Sequence, residues 1–201
     1  MQITDDHLDA IKEMVNIGVG KAAGILNQMT DSHIQLSIPE CKVFHPSELL
    51  QQSAFAEDEK ISAVCLTFES PFSGTSALMF SSESAFNLVS ILVDENDYSF
   101  DMDSLRIGTL QEVGNIVLNA VIGSLGNVLG ENIEYTPPDY YEDSLKNLIA
   151  EYDENENMIL FIRAHFGVEN QLIEGDIIII FRLSTFDNLL SSIESLMYDN
   201  D

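Results

Sequence analysis

Basic residues are scarce in this chain: Lys and Arg together number 8 against 34 Asp and Glu, a formal charge of -26 over 201 residues. A surface of that sign repels phosphate backbones and anionic lipid head groups, which argues against nucleic-acid and membrane-surface binding. Cysteine is equally sparse. Cys41 and Cys65 lie far apart and outside any CxxC spacing, so neither a disulfide framework nor a zinc site is signalled, and Cys65 in "AVCLTF" reads as a small core residue. The histidines, His7, His33, His45 and His165, are scattered without HxH or HExxH spacing, and no metal site is expected from them. Long apolar runs are missing too: the sequence nowhere strings together about 18 apolar residues, and "MQITDDHLDA" has no basic segment followed by an apolar stretch. The expectation is a cytoplasmic, monomeric protein with no membrane insertion.

What the chain does have is the composition of a folded protein, 45% hydrophobic with 11 Phe and 6 Tyr, and a length that permits a substantial core. It also repeats itself. Shifted by 99 positions, "IKEMVNIGVGKAAGILNQMTDSHIQLSIP" falls on "LQEVGNIVLNAVIGSLGNVLGENIEYTPP", pairing Glu13 with Glu112, Asn16 with Asn115, Gly24 with Gly123 and Pro39 with Pro138. With two further residues inserted, "SGTSALMF" lies on "EGDIIIIF", and the amphipathic "AFNLVSIL" lies near "TFDNLLSSI". The reading is one domain over residues 1–201 made of two repeats, about 4–97 and 100–197, each a long helix, several strands and a closing helix.

Period and punctuation place the elements. Thr4, Asp5 and Asp6 supply a cap and an acidic first turn, and Leu8, Ile11, Val15, Val19, Ala22 and Leu26 then recur at three- and four-residue spacing, predicting a helix over 5–29. Its counterpart over 104–129 carries Leu105, Leu110, Val113, Val117, Val121 and Leu125 and stops near Gly130. Strands are expected at 33–37, 40–44, 61–69, 74–81, 132–136, 158–166 and 175–183, with solvated loops at 46–60 and 151–157. The expected fold is α+β: a central, largely antiparallel sheet with the two long helices side by side on one surface.

On the first helix Asp9, Glu13 and Asn16 share a face, since residues at i, i+4 and i+7 align at 100° per residue. A solvated helix face is the plain explanation of such a row. Asn is nonetheless a poor helix-interior residue, and it stands mid-helix twice, each time three residues after Glu and just before Ile. "GVGKAAG" at 18–24 invites comparison with a phosphate loop, but Val15 and Ala22 stand where Gly and Ser or Thr would be needed, so Gly18, Ala22 and Gly24 read as permitting close packing. Met14, Met29 and Met79 fall at core spacings and imply no cofactor box.

The spacing of Asp9, Glu13, Asn16 and Pro39, and of Glu112, Asn115 and Pro138 with Gly108 in the first place, resembles that of the CheC, CheX and FliY chemotaxis phosphatases. The flanking "VNIGVGKAAGIL" and "VGNIVLNAVIGSL" look like the two helix sequences of a two-site CheC protein, and the resemblance covers essentially the whole chain. It implies hydrolysis of the aspartyl phosphate of the response regulator CheY, with Asn16 and Asn115 holding the attacking water. Glu13 and Glu112 would pair with a Lys beside the phosphoryl group, and Asp9 would be a secondary contact. The Mg²⁺ would be carried by the regulator, so the chain itself needs no cofactor. Gly108 leaves the second row one side chain short, which favours the first site, and Pro39 and Pro138 read as architectural. The competing reading is a non-catalytic module that sequesters phosphorylated CheY or the CheD deamidase.

Overall fold

A computed structural model describes residues 3–29, 33–52, 55–56, 58–93, 102–153, 155–168 and 171–198. Along the chain run α1 (Asp5–Met29), β1 (Ile34–Phe44), α2 (Pro46–Gln52), β2 (Lys60–Glu69), β3 (Gly74–Ser81), α3 (Ser82–Leu92) and α4 (Met102–Leu129). They are followed by β4 (Glu134–Tyr135), β5 (Asp139–Ser144), α5 (Leu145–Ile149), β6 (Asn157–Val168), β7 (Gln171–Arg182) and α6 (Leu183–Tyr198). The strands form one antiparallel sheet in the order β1-β6-β7-β3-β2-β4, with β5 also on β2. The fold is α+β with α1 and α4 packed together, as expected. Strands from the two halves of the chain are interleaved in that sheet: β1 pairs with β6, β3 with β7, and β2 with β5. With β5 taken in place of β4 beside β2, exchanging β1, β2 and β3 with β5, β6 and β7 gives the same order read in reverse.

Alternation along the strands divides the interior in two. One face, with Val64, Leu66, Leu78, Phe166 and Phe181, packs against Val15, Val19 and Leu26 of α1 and Val113, Val117 and Val121 of α4. The opposite face, with Ile61, Ala63, Phe161 and Ile178, is covered by Leu49 of α2 and Leu145 and Ile149 of α5. By length and composition α4 could cross a membrane, yet Leu110, Val113, Val117, Leu118, Val121, Ile122 and Leu125 are all buried inside this protein, so its apolarity belongs to the core.

Several expectations need correction. The strands at 33–37 and 40–44 are one strand whose register shifts between Ser37 and Glu40, around Pro39, which has no N–H for the ladder. Residues 46–52 form α2 rather than a loop. Pro46 stands at the first helical position and Glu48 Oε2 accepts from the His45 N–H at 2.8 Å, a start signal legible in "HPSELL". The strand at 132–136 shrinks to Glu134–Tyr135, while the acidic, mostly exposed β5, absent from the expectation, joins at the rim. Of the loop anticipated at 151–157, Glu151, Asp153, Asn155 and Glu156 are exposed, while Tyr152 packs partly on the core and Asn157 begins β6; Asp153 accepts from the Asn155 N–H at 2.7 Å. Among the methionines Met14 and Met79 are core residues, but Met29 is exposed.

Candidate functional site

The site is carried by α1 and α4, whose spacing a glycine sets. A Cβ on Gly18 would meet the Ala120 carbonyl oxygen at 2.5 Å and Val121 Cα at 2.7 Å, so only glycine lets the helices approach this closely. Ser124 Oγ donates to the Met14 carbonyl oxygen at 2.6 Å across the same seam. With Met14 beside Ser124 and Gly18 beside Val121, the helices run antiparallel. Ala22 is buried in the seam, but Gly24 faces open space, so the close-packing role expected for it does not hold.

A second glycine brings α4 down on the sheet. Gly114, between Glu112 and Asn115, sits so near β2 that a Cβ would lie 2.5 Å from Val64 Cγ1. Pro138 ends the segment running back beside α4, and its carbonyl oxygen accepts from Gln111 Nε2 at 3.2 Å. At the end of α4, Gly130 adopts φ +73° and the Glu131 N–H donates to the Gly126 carbonyl oxygen at 2.8 Å, the Schellman stop expected from sequence. Asn27 ties α1 to the start of β1, its side-chain amide bonding both the N–H and the carbonyl of Ile34.

These contacts leave the polar rows facing outward. Asp9, Glu13 and Asn16 are exposed on α1; on α4 Glu112 and Gly108 are exposed and Asn115 is half-buried. The Glu13 and Asn16 side chains bond to no other side chain among the described residues. In this register Asn115 lies abreast of Gly24, about two helical turns or roughly 12 Å along the axis from Asn16, so the two Glu/Asn pairs are separate spots on one surface. Gly108 opens a groove of about 380 Å³ bordered by Leu26, Met29, Leu92 and Glu112.

Two residues at the Asn115 spot were not singled out from sequence. Asn119 Nδ2 donates to Asn115 Oδ1 at 2.8 Å, and Lys21 reaches in from α1 to line the same groove of about 410 Å³ with Asn115, Asn119 and Ile25. The signal for Asn119 was present: it stands one helical turn after Asn115, and the shift of 99 places it on Gly20. Nothing local marked Lys21, because the asparagines it joins in the groove come from the other helix. Burial pushes the Cys41 thiol up to about 11 and the Cys65 thiol up to about 12, leaving both protonated and poor nucleophiles.

No protein-family model matches the sequence. The chain is similar to the CheY-P phosphatase CheC of Bacillus subtilis (strain 168), at 22% identity over 152 residues covering 74% of this chain and 72% of that protein. It is also similar to the flagellar motor switch phosphatase FliY of the same organism, at 22% identity over 193 residues; that match covers 92% of this chain but 48% of FliY, so the chain spans about half that relative's length. Among solved structures, Thermotoga maritima FliY shares the fold with a TM-score of 0.74 at 13% identity, covering 100% of both chains.

Proposed function

We propose that this CheC- and FliY-like chain is a cytoplasmic hydrolase that removes the aspartyl phosphate of a CheY-like response regulator. The observation that carries the reading is the outward presentation of two Glu/Asn pairs, Glu13/Asn16 and Glu112/Asn115, on rigid antiparallel helices. An acyl phosphate is already reactive and lacks only an oriented nucleophile. The reading requires no nucleophilic side chain from this chain.

An Asn amide has donors and an acceptor on one planar group, so inserted beside the phosphoryl group it can hold a water in line with phosphorus. The neighbouring Glu, one turn earlier, pairs with a regulator Lys and fixes how deeply the Asn enters. Asp9 adds a secondary acidic contact at the α1 site. Mg²⁺ carried by the regulator would supply charge neutralisation at the phosphoryl oxygens, and this chain supplies the water-holding amide and the docking charge.

The deciding measurement is phosphate release from regulators charged with acetyl phosphate, beginning with Bacillus subtilis CheY, in Mg²⁺ with substoichiometric chain. Accelerated release with turnover supports the hydrolase. Binding without acceleration would instead leave a sequestering module, whether for the phosphorylated regulator or for a CheD-like deamidase.

A further inference from the structure

The two helices differ beside their asparagines. One turn beyond Asn115, the Asn119 Nδ2 donates to Asn115 Oδ1 at 2.8 Å. One turn beyond Asn16 stands Gly20, with open space where a side chain would be. Asn119 Oδ1 is itself enclosed and has no hydrogen-bond partner among the described residues. A buried carbonyl oxygen without a donor costs stability, and Ala or Gly at this place would avoid the cost. The side chain therefore has no evident purpose in folding, and among the described residues its one hydrogen bond is to Asn115.

We propose that Asn119 is a positioning residue for the Asn115 site, holding that amide in the orientation that receives the attacking water; the inference rests on the phosphatase reading above. Asn115 Oδ1 has two acceptor positions. Asn119 occupies one, leaving the other and both Asn115 N–H groups for the water and a phosphoryl oxygen. The amide is held before the regulator docks, whereas the exposed Asn16 has no such side-chain partner among the described residues. The α4 site then turns over faster than the α1 site, in spite of Gly108.

The test isolates each site in turn, with acetyl-phosphate-charged Bacillus subtilis CheY or whichever regulator the wild-type chain dephosphorylates. In the Asn16→Ala background, Asn119→Ala is expected to lower kcat by about three- to tenfold with the apparent Kd for the regulator unchanged. Gly20→Asn in the Asn115→Ala background is expected to raise kcat by a similar factor, a gain that a role in folding alone does not produce. Unchanged kcat on Asn119→Ala, while Asn16→Ala/Asn115→Ala is inactive, overturns the proposal and leaves the phosphatase reading standing. Full activity in Asn16→Ala/Asn115→Ala removes the phosphatase site itself. If Asn119→Ala unfolds the protein, Gly20→Asn decides alone, and no gain in kcat overturns the positioning role.

Discussion

Gly18 faces Val121 across the α1–α4 seam so closely that an added Cβ would lie 2.7 Å from Val121 Cα and 2.5 Å from the Ala120 carbonyl oxygen. These are backbone atoms, which cannot swing aside as a side-chain tip can. Gly18→Ala is therefore expected to push the helices apart and destabilise the fold by about 1–3 kcal/mol, despite the better helix propensity of Ala. Gly20→Ala, two residues on in open space, should stabilise by about 0.5–1 kcal/mol. Urea unfolding of the two variants checks the contrast. Equal shifts of the same sign would mean that the seam is looser than described.

Replacement of the water-holding amides should act on turnover rather than on affinity. Asn16→Ala and Asn115→Ala are each expected to leave partial phosphatase activity, with roughly a 10²-fold loss at the altered site, and the double variant to be inactive. Regulator binding should largely survive in all three. Phosphate-release rates with matched binding measurements provide the check, and full activity in the double variant would refute the mechanism.

Charge reversal at the glutamates should do the opposite. Glu13 and Glu112 are exposed, so a Lys in either place is accommodated without disturbing the core. Facing the regulator's Lys, it weakens docking at that site, by an expected tenfold or so in apparent Kd at low salt. The effect should shrink as ionic strength rises. Binding titrations of Glu13→Lys and Glu112→Lys at two salt concentrations test this, and undiminished affinity at low salt would remove the proposed Glu–Lys pair.

The long helices were legible because periodicity is a local signal: Val15, Val19, Ala22 and Leu26 recur at helical spacing, and all four are buried. The Glu/Asn rows were legible for the same reason. What could not be read locally depends on contacts between distant segments. β5 is an acidic strand that exists because β2 offers it a ladder, from Lys60 opposite Ser144 to Cys65 opposite Asp139. Gly24 looked equivalent to Gly18 in sequence, yet only Gly18 faces the neighbouring helix. Lys21 joins the Asn115 spot only because α1 and α4 are antiparallel. Asn119 is a different case, since its place one turn after Asn115 was visible and only its hydrogen bond was not.

The final prediction concerns the thiols. Burial raises Cys41 from the usual 9.0 to about 11, against a small opposing pull from Lys12, and raises Cys65 to about 12 with a further push from Asp139. At pH 8 both should resist iodoacetamide in the folded protein and react readily once it is unfolded in urea. Above pH 9 the unfolded chain gives up these protons while the folded chain keeps them, so the unfolded state binds fewer protons and stability falls as pH rises. The loss begins near the unfolded value of 9.0 and runs through about 11 for Cys41 and about 12 for Cys65. Because both side chains are only partly enclosed, an effect on the order of 2 kcal/mol per thiol is the reasonable scale. Burial also raises Tyr135 and Tyr152, which steepens the same decline. Urea unfolding at pH 8, 9, 10 and 11 should therefore show a falling midpoint in the wild type and a shallower fall in Cys41→Ala/Cys65→Ala, whose remaining slope reports the tyrosines and the growing negative charge. Identical slopes would show that neither thiol is held protonated by the fold.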